Sequence, residues 1–145
     1  MIKIICVGKI KETYLKDGIN DYLKRINKYH RLEIIEVIDS DINKERDLII
    51  KNINSKDYII TLEIEGNNIS SMELADKIDK TFITNNCITF IIGGSYGLHE
   101  DVKNLSDYKL SFSKMTFPHG LFRLILLEQI YRSFKILNNE TYHKW

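Results

Sequence analysis

Cysteine, proline and net charge are all scarce in this 145-residue chain. It has two cysteines and one proline, and 21 basic side chains face 20 acidic ones, for a net charge of +1 with neutral histidine. Two cysteines without a Cys-x-x-Cys pair exclude a disulfide framework and a cysteine-rich zinc site. Cys6 and Cys87 each sit inside an apolar run and read as reduced core thiols. No stretch reaches the roughly 18 consecutive apolar residues of a membrane span. The opening Met-Ile-Lys-Ile-Ile-Cys-Val-Gly meets a lysine too soon for a secretion signal. A cytoplasmic protein with no membrane and no metal partner is therefore expected. A sequence pI near 7.7 is low for a stand-alone nucleic-acid binder, which carries a clear basic excess.

What is present suits a packed core. Apolar residues make up 43% and charged residues 28%, which excludes a disordered chain. No linker or repeat interrupts the sequence, so residues 1–145 read as one domain. The charge is uneven: residues 1–31 sum to +5, residues 32–80 to −6 and residues 81–145 to +2. The basic first segment is either a solvated helix face or a surface that meets phosphate.

The pattern alternates strand and helix. Short β-branched runs at Ile2–Gly8, Leu32–Ile38, Asp57–Glu65, Cys87–Ile92 and Tyr108–Ser113 read as strands. Helical spacing fills Glu12–Tyr29 and Ile42–Ile53. Gly66-Asn67-Asn68 is a turn signal that ends the third strand. Ser70 followed by Glu73 is a capping box that opens a helix to about Thr84. A short helix follows at about Leu98–Leu105. Pro118 starts a long helix from His119 to about Leu137. Strands joined through helices predict an α/β fold, a mostly parallel sheet with helices on both faces. Its ligand crevice lies beyond the carboxyl ends of the strands.

The last helix is apolar almost all the way round, from Leu121 to Leu137. Either a second copy covers its outer side in a homodimer, or it lies centrally within one chain. The homodimer is the expectation.

Three segments carry candidate chemistry. Gly93-Gly94-Ser95-Tyr96-Gly97 follows a strand, and its glycines let backbone approach a ligand closely. Gly93-x-Ser95-x-Gly97 also matches the nucleophile turn of serine hydrolases, with Asp101, Asp107, His119 and His143 downstream as triad candidates. A plain tight turn is the bland reading. Leu110–Gly120 mixes hydroxyls, backbone amides and apolar side chains, a lining suited to the rim and faces of an adenine. Tyr142-His143-Lys144-Trp145 brings a phenol, an imidazole and an ammonium to a tail able to close over a site.

Ile-Gly-Gly-Ser-x-Gly-Leu, Leu-Ser-Phe-Ser-Lys-Met-Thr-Phe-Pro-His, Leu-Glu-Gln-Ile-Tyr-Arg-Ser-Phe-Lys-Ile and Tyr-His-Lys occur here in that order. Together they strongly resemble the ribosomal large subunit methyltransferase H family, over nearly the whole chain. The opening Ile-Lys-Ile-Ile-Cys-Val-Gly-Lys-Ile-Lys-Glu-x-Tyr and the middle Ile-Thr-Leu-Glu-Ile-x-Gly look like the same family. The stretch around Ser40–Glu45 is shorter than in typical members, Lys144 stands where many carry Arg, and Trp145 is an extra end residue.

The resemblance implies a SPOUT-class fold with a C-terminal trefoil knot, which spacing does not reveal. It implies a homodimer that uses S-adenosylmethionine to methylate N3 of a pseudouridine in 23S rRNA. The weak net charge points to the assembled ribosome rather than free RNA, since a large preformed surface makes up for few phosphate contacts. Carried onto this sequence, the cofactor contacts are Leu62, Gly93, Phe112, Ser113, Lys114, Met115, Thr116 and Phe117. Arg132, Tyr142 and His143 match positions linked to target binding or catalysis. In that reading His143 accepts a proton or stabilises an anion, Tyr142 positions the base, and Glu128 holds Arg132 from one helical turn away. A small serine hydrolase and a non-catalytic ribosome-binding module are the competing readings.

Overall fold

Isoleucine and valine dominate the strands, and in the computed structural model, which describes residues 1–144, they are buried from both sides. β1 (Ile2–Val7) is buried at every position, as a strand covered on both faces must be. β2 (Leu32–Val37), β3 (Tyr58–Asn68), β4 (Ile88–Ile92) and β5 (Tyr108–Ser111) complete one sheet in the order β2-β1-β4-β3-β5. Every pairing is parallel, and Ile4 sits between Ile34 and Phe90. All five strands therefore end at the same edge, where a ligand crevice forms in such sheets.

Alternation along the strands sorts side chains into two cores. Ile2, Ile4, Cys6, Ile60, Phe90 and Ile92 face α1 (Thr13–Asn27), α3 (Ser71–Thr84) and α5 (His119–Leu137). Ile5, Val7, Ile59 and Ile91 face α2 (Ile42–Lys51) and the short α4 (Glu100–Lys103). Ser70 caps α3 with the reciprocal Glu73 contact that the sequence signals. The Asp41 carboxylate caps α2 by accepting from the Lys44 amide.

The structure differs from the sequence expectations in two places. β3 does not stop at Glu65. It bulges over residues 63–66 and resumes, so that Leu110 of β5 stands opposite both Leu62 and Asn67. The Asn67 and Asn68 amides donate to the carbonyls of Lys109 and Ser111, which makes this turn-like pair part of the sheet edge. The second difference is the cover of α5. It packs against both α1 and α3 over the sheet, which buries Leu126, Leu127, Ile130 and Phe134, while Leu121 stays exposed and Ile125 half-buried.

One buried charge pair ties the sheet to α2. Lys3 Nζ lies 2.8 Å from Asp57 Oδ2, with both side chains almost fully buried. Nζ also donates to the Asn52 carbonyl at 2.7 Å, and the Thr89 hydroxyl donates to Asp57. Burial alone would push the Asp57 carboxyl up, but Lys3, the Asn54 amide and Thr89 together hold it below the usual carboxylate range. Its contribution to stability is thus present above that range and is lost as pH falls through the lowered folded value. Asp57→Ala leaves the Lys3 ammonium buried without a counter-ion and should cost about 3–5 kcal/mol in urea unfolding. Breaking the exposed Arg25–Asp21 pair should cost about 1 kcal/mol or less. Equal losses would show that the buried pair does not anchor the sheet.

Candidate functional site

Three strand ends and the start of α5 enclose a cavity of about 840 Å³. Leu62, Glu63, Ile64 and Glu65 come from the end of β3 and its bulge. Ile92, Gly93, Gly94, Ser95, Gly97 and Leu98 follow β4. Leu110 to Ser113 and Met115 to His119 follow β5, with Phe122 from the first turn of α5. The volume falls within the roughly 300–1,000 Å³ typical of small-molecule sites.

Backbone crowding shapes this cavity. A Cβ on Gly93 would lie 2.6 Å from the carbonyl carbon and oxygen of Gly97, and one on Gly94 would lie 2.8 Å from Val7 Cγ1. Gly97 has φ +73°, which favours glycine, and its amide donates to the Gly94 carbonyl at 3.0 Å. Gly93 is therefore required by the turn itself rather than by empty space kept for a ligand. The β5 exit is equally tight. The Ser111 hydroxyl donates to the Ile64 carbonyl at 2.9 Å, and Ser113 Oγ accepts from the Met115 amide at 3.0 Å.

Of the residues named from sequence, Leu62, Gly93, Phe112, Ser113, Met115, Thr116 and Phe117 line the cavity. Lys114 is exposed and does not. Glu63, Lys103, Ser111 and Phe122 line it too; Glu63 and Ser111 fall in segments the sequence marks, a strand's carboxyl end and Leu110–Gly120, whereas Lys103 and Phe122 were missed. Glu63 was open to discovery, since it follows Leu62 at a strand's carboxyl end. Lys103 was not, since its approach depends on how α4 packs.

Arg132, Tyr142 and His143 come together, but elsewhere. Glu128 accepts from Arg132 Nη2 at 2.8 Å, from Arg132 Nε at 3.3 Å and from the Tyr142 hydroxyl at 2.7 Å. Arg132 Nη1 lies 3.0 Å from His143 Nδ1. A guanidinium only donates, so Nδ1 accepts, and a neutral ring carries its proton on Nε2. The Tyr142 ring lies beneath the guanidinium at 4.9 Å and meets Tyr131 edge-on at 4.9 Å. Burial first, then the Glu128 carboxylate, pushes the Tyr142 phenol well above its ordinary value, so it stays a protonated donor. Lys144 is exposed, and Trp145 lies outside the described residues. Ten helical residues separate Phe122, at the cavity, from Arg132, a distance of about 15 Å along α5.

The geometry does not assemble a hydrolase triad. Ser95 is exposed, and among the described residues nothing hydrogen-bonds its hydroxyl to a histidine or carboxylate. Asp101 pairs with Arg46 at 3.4 Å, and Asp107 accepts from the Ile59 amide at 2.8 Å. Burial pushes the Cys6 thiol up to about 12 and raises that of Cys87, so neither is an activated nucleophile. Among the described residues no cluster of three or more His, Cys, Asp or Glu is arranged to hold a metal ion, and no helix is long and apolar enough to cross a membrane.

A family model described as predicted SPOUT methyltransferase matches residues 1–143. The chain is 50% identical to the ribosomal RNA large subunit methyltransferase H of Alkaliphilus oremlandii, over 99% of both chains. It belongs to that family. The protein of the same name from Clostridium botulinum is 49% identical, again over 99% of both chains. These alignments span 157 positions, a dozen more than this chain has, in keeping with a shortened loop. Among solved structures, a probable methylase family protein from Haemophilus influenzae shares the fold at a TM-score of 0.59 and 15% identity, over 99% of this chain and 70% of that one.

The turn geometry yields a direct test. Gly93→Ala should lower thermal stability and abolish ligand binding in the cavity, because the new methyl group displaces the Gly97 backbone. Ser95→Ala should change stability by no more than about 0.5 kcal/mol and leave methyl transfer intact. Normal binding by Gly93→Ala would show that the turn does not shape the cavity.

Proposed function

We propose that this protein transfers a methyl group from S-adenosylmethionine to N3 of a pseudouridine in 23S rRNA, acting as a homodimer on the assembled ribosome in the cytoplasm. The observation that carries this reading is the single cavity made by the glycine turn after β4 and the 112–117 segment after β5. Family membership and the names of the relatives favour ribosomal RNA as the substrate. The implied knot rests on family membership; β3 pairs with β5 on both sides of its bulge, and the Ser111 hydroxyl reaches the Ile64 carbonyl within it.

The lining fits an adenosyl group. Leu62, Phe112 and Phe117 offer apolar packing for a flat base. The Gly93–Gly97 backbone, uncovered by any Cβ at positions 93, 94 and 97, and the hydroxyls of Ser113 and Thr116 offer hydrogen bonds around its rim. The cofactor, when bound, supplies a methyl group already activated on sulfur. The chain's own residues then have to orient the acceptor and handle the charge left when N3 loses its proton. Placing two reactants correctly contributes roughly 7–11 kcal/mol.

The tail cluster suits the charge problem. Glu128 fixes the Arg132 guanidinium, and Arg132 in turn fixes the His143 ring, so that Nε2–H is left as a donor. His143 therefore stabilises the anion developing on the pyrimidine, and the N3 proton passes to solvent water rather than to Nδ1. Arg132 adds a permanent positive charge beside it, and preorganised groups of this kind act most strongly where water is excluded. Tyr142 serves as an anchor that pins the tail to Glu128 and Tyr131.

Within one chain this cluster lies about 15 Å along α5 from the cavity. The trio of one copy is thus paired with the cavity of another, and that separation, not the pattern of α5, is the argument for the dimer.

Label transfer from methyl-labelled S-adenosylmethionine to 23S rRNA in ribosomes that bear the pseudouridine tests the activity. No incorporation would remove the reading. Gly93→Ala and Arg132→Ala should each be inactive alone. Mixed and allowed to exchange subunits, they should recover part of the wild-type rate, because one intact cavity then meets one intact tail. No recovery between variants shown to exchange would contradict a site shared across two chains.

A further inference from the structure

We propose that Glu63 is the carboxylate that recognises the positive charge on the methyl donor, and so makes the cavity favour the sulfonium over its neutral demethylated product. The inference rests on the cofactor reading above and deepens it.

Glu63 is the first residue beyond Leu62, where β3 leaves the sheet for its bulge, and it lines the cavity half-buried. Its carboxylate is held in place. The fully buried Thr61 hydroxyl donates to Glu63 Oε2 at 2.6 Å. Ser106 Oγ lies 2.7 Å from Thr61 Oγ1 and 2.8 Å from the Tyr108 carbonyl, and its single proton serves one of these two contacts.

That arrangement occupies one carboxylate oxygen and leaves the other, Oε1, without a hydrogen-bond partner among the described residues. No lysine, arginine or histidine nitrogen among them comes within 4.0 Å of Glu63, although Lys103 also borders the cavity. The cavity it borders mixes apolar side chains such as Leu62, Phe112 and Phe117 with hydroxyls and glycine backbone. A fixed, partly desolvated anion facing such a lining is stabilised by an incoming cation and gains little from a neutral ligand.

The methyl donor carries its positive charge on the sulfur that is neutral once the methyl group has left. A carboxylate that senses this charge therefore tightens binding before transfer and loosens it afterwards. Glu65, on the same bulge, also borders the cavity but is exposed, so solvent screens it and its influence should be smaller.

Calorimetric titration with S-adenosylmethionine and with S-adenosylhomocysteine, on the full-length dimer, tests this. Glu63→Gln should reduce the preference for the sulfonium by about tenfold, chiefly by weakening S-adenosylmethionine, while S-adenosylhomocysteine affinity changes little. Thr61→Val, which frees the carboxylate without removing it, should shift the preference in the same direction by less. Glu65→Gln should shift it less than Glu63→Gln does. Equal weakening of both ligands by Glu63→Gln would overturn the proposal, since it would place Glu63 against an uncharged part of the ligand. An unchanged ratio would overturn it as well. If the unaltered protein binds neither molecule, the cofactor reading fails and the proposal falls with it.

Discussion

The site depends on a contact that leaves no room for a side chain. Gly93 lies so close to the Gly97 backbone that a single Cβ would collide with it at 2.6 Å. This crowding turns the chain sharply at the end of β4, beside the bulge of β3, which lies between it and the exit of β5. Because all the strands are parallel, the three ends meet at one edge, and their backbones rather than their side chains form much of the wall. The first turn of α5 then closes the fourth side, which makes the long helix part of the cavity as well as of the core.

Charge is organised around two carboxylates of opposite duty. Asp57 neutralises Lys3 inside the sheet and contributes to stability. Glu128 sits at the far half of α5 and gathers Arg132, Tyr142 and, through Arg132, His143. That second cluster is assembled before any target arrives, with its guanidinium and imidazole already oriented. About 15 Å of helix separates it from the cavity, and the proposed pairing of two copies would bring the two together.

Much of the fold was legible in the sequence because local rules agreed with the tertiary structure. β-branched runs became strands, the Ser70 and Glu73 box opened α3, and Pro118 preceded α5. Strand order was not legible, since β4 inserts between β1 and β3 through packing that no local pattern records. The bulge of β3 was misread because Gly66-Asn67-Asn68 has turn chemistry, yet Asn67 and Asn68 spend their amides on carbonyls at and beside β5. About a third of the cavity residues, Leu62, Gly93, Phe112, Ser113, Met115, Thr116 and Phe117, were named through the family resemblance. Lys114, named with its neighbours, is exposed and does not line the cavity. The all-round apolar surface of α5 was read as an interface; α1 and α3 bury its inner side, and Leu121 remains exposed.

Methylation at N3 has a chemical signature, because N3 is also the atom at which carbodiimide forms a lasting adduct with pseudouridine. Mass spectrometry of 23S rRNA fragments after reaction, combined with carbodiimide probing, tests the account most directly. The account predicts one added methyl mass on a single pseudouridine, with the adduct lost at that nucleotide. A methyl group found on any other atom or nucleotide, or no added mass on ribosomes that carry the unmodified pseudouridine, would contradict it.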